Sequence, residues 1–187
     1  FSYMPVKHIL DVAVPASWTF VLASSGIAAE KAGRAQAQYN RASLGVRTLI
    51  SLWRDHIGPI GSLTEVLAAD PNAESRLRDV IDAYPVVDWP REVLHIRLSH
   101  FAREFPRVTR AAAAFANADA SAVGALAAES HDEADQLLRN QIPETNGLVE
   151  LAVSQGAIGA SAFGAGFGGS VWALIDSTDQ KAIAARL

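Results

Sequence analysis

The longest periodic stretch of the chain covers residues 28–53. Apolar side chains there fall at Tyr39, Ala42, Val46, Leu49, Ile50 and Trp53, close to the helical repeat. No proline interrupts it, and Gly33 and Gly45 weaken it only a little, so one long helix is predicted. Ahead of it, residues 12–14, closed by Pro15, and residues 18–23, ended by Ser24, Ser25 and Gly26, are rich in β-branched and aromatic side chains and read as short strands. Gly58 and Pro59 break the chain after the helix. Ser62 with Glu65 has the capping-box spacing that opens a short helix. Asp70 and Pro71 predict the start of another, with proline at the first helical position, where its missing N–H costs nothing. Pro85 and Pro90 bracket a loop, and residues 91–118 then predict two helices, or one kinked at Pro106. Asp119 caps a helix to about Leu138; Pro143 opens one that ends at Gly156, where glycine supplies a left-handed cap. Small residues and glycines follow, then a continuous apolar run at 171–175 that predicts a buried strand, and Ser177 with Gln180 caps a tail helix. The pattern as a whole predicts one helix-rich α+β domain with strands near both ends.

Composition narrows the functional classes. Half of the 187 residues are hydrophobic and 19% are charged, enough apolar material for a compact core and too much for a disordered chain. Sixteen Lys and Arg against twenty Asp and Glu leave a net charge of -4, with the basic residues scattered singly, so no nucleic-acid partner is expected. The chain has no cysteine, which removes disulfides and thiolate metal sites and fits a reducing compartment, with the cytoplasm as the default. No apolar run reaches the roughly 20 residues that span a bilayer, and the opening FSYMPVKHIL lacks a signal pattern, so no membrane partner is expected. The first residue, Phe1, suggests a chain cut from something longer. His8, His56, His95, His100 and His131 include no i, i+4 pair, so no metal site is expected. In SHDEAD, the side chains of His131, Asp132, Glu133 and Asp135 point in several directions on a helix, which predicts a solvated face. The G-x-S-x-G elbow of serine hydrolases and the G-x-x-x-x-G-K-[ST] phosphate loop are both absent.

The chemistry concentrates in GAGFGG, residues 164–169. It satisfies G-x-G-x-x-G, but a dinucleotide loop follows a strand, opens a helix and needs an acidic residue about 20 positions on. Here a strand follows, and the acidic position would lie past Leu187. What remains is general: Gly164, Gly166, Gly168 and Gly169 let the backbone take positive φ and bring N–H groups close to an anion. The alternative is a tight hairpin with no ligand.

At this loop the chain resembles a family. AIGASAFGAGFGGSVWALI resembles the third conserved motif of galactokinases and related GHMP sugar kinases. Four further segments are similar in order: FVLASSGIAAEKAGRAQAQYNRAS to the strand, Ser-Gly turn and helix with a Tyr-Asn-x-Arg signature; LSHFAREFPRV to the His-x-x-x-Glu-x-x-Arg-Val helix; LAAESHDEADQLL to the Ser-His segment; and PETNGLVELA to the Pro-Glu helix. The resemblance implies a ferredoxin-like C-terminal domain with additional helices over residues 28–187, apparently lacking its last strand, with residues 1–27 as a remnant of a preceding domain or interdomain strands. It implies ATP-dependent phosphorylation of the anomeric hydroxyl of galactose or a related sugar, with Mg2+. Tyr39 falls where the family hydrogen-bonds sugar, and Gly164, Gly166, Gly168 and Gly169 fall on the loop beside the ATP phosphates. The departures are Ser161, Ala162 and Phe163 for the usual Arg-Met-Thr, Ser170 for Cys, and Asn146 for Asp. The family's sugar-recognition signature, serine-rich phosphate loop and catalytic aspartate all precede the matched segment. No catalytic residue is therefore expected in this chain, and its partners are expected to be the sugar, ATP and the missing N-terminal domain. The rival readings are a sugar-binding sensor without turnover and a structural or partner-binding helical domain.

Overall fold

The computed structural model describes residues 2–3, 6–29, 34–164 and 166–187, and omits the side chains of Ser2, Tyr3, residues 34–39 and Ala42. The elements run β1 (Ser2–Tyr3), β2 (Val6–Lys7), β3 (Trp18–Ser24), α1 (Arg34–His56), α2 (Leu63–Ala69), α3 (Ala73–Ala83), α4 (Arg91–Ala116), α5 (Ala120–Glu133), a π-helical turn (Ala134–Leu138), α6 (Pro143–Ser154), β4 (Gly159–Ala162), β5 (Ser170–Asp176), a 3-10 turn (Ser177–Asp179) and α7 (Gln180–Ala184). The class is α+β, as the pattern predicts.

A three-stranded antiparallel sheet of order β3-β5-β4 organises the C-terminal half. β5 pairs along its whole length with β3, from Trp18 opposite Asp176 to Ser24 opposite Ser170, and with β4 from Gly159 opposite Leu174 to Ala162 opposite Val171. As the central strand it is covered on both faces. Val171, Ala173 and Ile175 pack with Val149 and Ala152 of α6 and Ile183 of α7. Leu174 packs on the opposite face with Ala114 of α4 and Val123 and Leu126 of α5. Two-sided burial is why the run lacks polar alternation. A second core lies among α1 to α4, where Leu49, Leu77, Ile81, Leu94 and Leu98 are sealed from solvent. α4 joins the two cores, using Leu94 and Leu98 in one and Ala114 in the other. Packing at both ends holds it as one helix through Pro106, although the proline removes a backbone donor.

The Ser62 capping box forms as its spacing predicts: the Ser62 hydroxyl accepts from Glu65 N, and Glu65 accepts from Ser62 N at 3.1 Å. Asp119 caps α5 through Ala122 N, Pro143 opens α6, and Gly156 carries a φ of +96° just past its end. Other expectations are corrected. Residues 12–14 form no strand: Val12 and Val14 are exposed and pair with no strand among the described residues. Asp70 and Pro71 do not open α3: Asp70 closes α2, its carboxylate accepts from Asn72 N, and the helix starts at Ala73. Residues 28–29 are not helical, and α1 is helical from Arg34, the intervening residues lying outside the description. The tail turn is capped by the Asp176 carboxylate, which accepts from Thr178 N, and not by Ser177. β4, in the stretch of small residues ahead of the glycine loop, is a strand.

Candidate functional site

The loop at 163–169 links β4 to β5, so GAGFGG is a connection within a hairpin, closed by Phe163 N donating to Ser170 O at 3.2 Å. Its shape departs from any standard two-residue turn. Gly164, Gly166, Phe167, Gly168 and Gly169 all have positive φ, from +62° to +121°. Consecutive residues in that region curl the backbone so that its N–H groups converge on one side. Two outside segments hold this curl. The carbonyl of Asn140, just past the π-helical turn, accepts from Phe167 N at 2.6 Å. On the other side the Ile27 carbonyl accepts from Gly169 N at 2.8 Å, while the Gly169 carbonyl accepts from Ser25 N at 2.9 Å and from the Ser25 hydroxyl at 2.8 Å. The loop is thus pinned to the segment that leads from β3 toward α1.

Those clamps consume some amides and spare others. Among the described residues, no acceptor meets the N–H groups of Gly164, Gly166 or Gly168. Gly166 and Gly168 are buried residues, where an unmet backbone donor is rare and costly. Alternate amides left open along a positive-φ curl are the arrangement that receives an oxyanion.

The reason for each glycine also separates. A Cβ on Gly166 would overlap the Asn140 carbonyl oxygen and sit 2.8 Å from the Asn140 Cβ; one on Gly168 would meet Ile27 O at 2.8 Å. These two positions exclude side chains because the protein itself is there. Gly164 differs: its φ is +91° and, among the described residues, nothing beyond its chain neighbours lies within 4 Å of a Cβ placed there. Among the described residues, a Cβ on Gly169, also at +91°, would meet the Ala29 Cβ at 3.6 Å, an ordinary contact.

Beside the loop, the buried imidazole of His131 joins three elements. Its Nδ1 accepts from Ala162 N at 3.5 Å, which puts the proton on Nε2 to donate to Asn146 Oδ1 at 3.1 Å. The sequence places His131 in a solvated SHDEAD face, and the structure corrects this. Glu133 also turns inward, with carboxylate oxygens 3.1 Å from Arg103 and 2.8 Å from Arg107, whose guanidinium is nearly sealed and also meets Glu104 at 2.6 Å. Burial pushes the Glu133 carboxyl up, but Arg107 and Arg103 outweigh it and hold it below the usual carboxylate range. No group of three or more His, Asp or Glu that could hold a metal occurs among the described residues.

Tyr39 lies on the second turn of α1, and its side chain is outside the described residues. The four singled-out glycines come together in one clamped curl. Asn140, Ile27 and Ser25 belong to the site and were missed as site residues. Apart from the Ser25 hydroxyl, their roles are backbone contacts between segments far apart in sequence, for which no residue-type signal exists. At the departures, the Ser161 hydroxyl donates to Ala162 O at 3.1 Å and the Phe163 side chain is exposed, so neither offers a cation to an anion at the loop.

Residues 111–187 match the family described as GHMP kinases C terminal. The chain is 28% identical over 187 residues to a galactokinase of Chloroflexus aurantiacus, covering 100% of this chain and 43% of that protein. It is 28% identical over 177 residues to a galactokinase of Chloroflexus aggregans, covering 94% and 40%. A galactokinase of Streptomyces coelicolor is 34% identical over 84 residues, 45% of this chain and 22% of the relative. The chain therefore spans about two fifths of the length of the relatives it matches end to end. In fold it is similar to a crystal structure of Lactococcus lactis galactokinase complexed with galactose, with a TM-score of 0.70, 23% identity, and coverage of 94% of this chain and 42% of that one.

Proposed function

We propose, from the match of residues 111–187 to the GHMP kinases C terminal family and the similarity to galactokinases along the chain, that it is the C-terminal part of an ATP-dependent kinase that phosphorylates the anomeric hydroxyl of galactose or a related sugar. The observation that carries this reading is the curl at 164–169, clamped from both sides with the Gly164, Gly166 and Gly168 amides open. Phosphoryl transfer depends on positioning and on neutralising charge that spreads over the phosphate oxygens. Backbone N–H dipoles fixed by Asn140 and Ile27 supply partial positive charge without reorganising when the nucleotide arrives. The open space at Gly164 supports placing the phosphate approach on that side. His131 sets β4 against α5 and α6 immediately before the loop and acts as a positioning residue. Tyr39 on α1 is assigned to the sugar on the family's pattern.

The family also implies Mg2+. The described residues of this chain do not fit that role, since they offer no group of three or more carboxylates or imidazoles that could hold the ion. The loop shields the phosphates from one side only, and catalysis needs groups on both. The chain by itself is therefore expected to turn nothing over.

The test is ADP release by the full-length protein and by this chain alone, with galactose, arabinose and galacturonate. Sugar-dependent turnover is expected from the full-length protein and none from the chain. A full-length protein that binds sugar and ATP but releases no ADP would replace the kinase with a sensor, an outcome the missing cation around Ser161 to Phe163 would explain.

A further inference from the structure

On α3 and α4, Arg76, Arg78, Arg103, Arg107 and Arg110 each meet a carboxylate at 2.5–3.8 Å. Arg97 on the same helix does not. It is only 9% exposed, its Nη1 is buried with no hydrogen-bond partner, and no ion pair reaches it among the described residues. One turn on, His100 is 6% exposed and its Nδ1 is likewise buried and unpartnered. A buried guanidinium without an acceptor is among the costliest arrangements a fold can hold. Two open polar groups one helical turn apart face the same side of α4.

The surroundings add positive charge where a partner acid would be expected. Gly45 of α1 lets the Trp89 ring and the Arg97 stem pack directly against that helix: a Cβ on it would meet the Trp89 ring at 3.2 Å and the Arg97 Cγ at 3.4 Å. The Arg41 guanidinium lies over the same Trp89 ring, 4.8 Å from its centroid, and forms no ion pair among the described residues. Burial and the charge of Arg41 both pull the Arg97 pKa down, and no carboxylate offsets them. The Arg107 cluster two to three turns along α4 shows the contrast, since its buried guanidinium is surrounded by Glu104, Glu129 and Glu133.

We propose that Arg97, with Arg41 and His100, forms an oxyanion-binding site in the seam between α1 and α4, separate from the glycine loop, that takes a carboxylate or a phosphate. The oxyanion accepts from the Arg97 Nη1 and from a His100 Nδ1–H, and the Arg41 guanidinium held over the Trp89 ring adds positive charge to the same seam. Two sources share this chemistry, a free small anion and a carboxylate side chain from elsewhere in the full-length protein.

The experiment follows the Tm of the chain as inorganic phosphate or acetate replaces chloride at constant ionic strength. A saturable rise of roughly 3 °C or more is expected at high occupancy, and Arg97→Met should abolish it. In the anion-free buffer Arg97→Met should melt no lower than the unmodified chain, because it removes an unpaired buried charge. If Arg97→Met does not fold, arginine-selective 15N labelling of the unmodified chain gives the same answer, with one guanidinium resonance expected to shift with the Tm half-saturation. Repeating the titration on the full-length protein separates the sources. A retained rise means a free anion; a lost rise, with Arg97→Met now destabilising, means the protein's own carboxylate. Absence of a saturable rise in the chain, or a rise that survives Arg97→Met, overturns the proposal.

Discussion

Gly166 and Gly164 have almost the same backbone angle and opposite surroundings, which makes them the most informative pair of residues in the chain. Gly166→Ala would pay both left-handed strain and overlap with Asn140, so it should destabilise by more than the ~1–3 kcal/mol of strain alone. Gly164→Ala has strain but no clash and should cost about 1–2 kcal/mol. Urea unfolding of both variants checks the order. If Gly164→Ala is the more damaging to stability, the packing described for Asn140 is wrong. Two titrating groups on neighbouring helices set the acid behaviour. Burial pushes the His100 imidazole below its usual 6.5, with Arg97 and Arg107 adding to it against Glu104 and Glu133. A depressed histidine pKa means the fold favours the neutral ring, so its stabilisation is complete above pH 6.5 and is lost as pH falls through it. Glu133, held below its usual 4.5, adds a second loss as pH falls through that value. Unfolding free energy measured from pH 8 to pH 3 should fall in two stages, with His100→Asn flattening the upper and Glu133→Gln the lower. A single stage near pH 4 in the unmodified protein would contradict the buried-imidazole assignment.

At the scale of elements, the contact between α5 and β4 depends on the smallest side chain. A Cβ on Gly124 would overlap the carbonyl oxygen of Ile158, and Gly159 lies against Gly124 and Ala127 from the strand side. Alanine gains about 1 kcal/mol over glycine in a helix interior, yet Gly124→Ala is expected to lose about 1–3 kcal/mol net through overpacking. A chemical-denaturation midpoint that rises in this variant would show that α5 and β4 have more room than described. Elements announced by side-chain chemistry were legible in the sequence: the Ser62–Glu65 box, the Asp119 cap, Pro143 at the start of α6, and the apolar run of β5. β4 was not, because Gly159, Ala160, Ser161 and Ala162 carry no strand propensity; the strand exists through its pairing with β5 and its close approach to α5. The start of α3 was misplaced for a related reason. Asp70 can close one helix or open the next, and its carboxylate contacts with Asn72 and Arg76 decide the matter only in three dimensions.

For the whole molecule, α4 bridges the helical core and the sheet, while the glycine curl gathers segments that are distant in the chain: Ser25 and Ile27 before α1, Asn140 after α5, and the loop itself. The glycines were legible as a candidate anion loop, and the order of the family-like segments gave the fold. The clamps were not legible, since they are contacts to backbone groups, one of them from the Ser25 hydroxyl, spanning 27 to 144 residues of sequence separation. The central claim is that this clamped curl leaves three particular amides for nucleotide phosphate. The measurement that tests it most directly is amide NMR of the full-length protein, labelled with 15N-glycine and 15N-phenylalanine, during titration with ADP and ATP. The Gly164, Gly166 and Gly168 amide protons should move downfield together and saturably, while Phe167 and Gly169, already bonded to Asn140 and Ile27, move far less. Saturable nucleotide binding that leaves those three glycine amides unmoved would contradict the account.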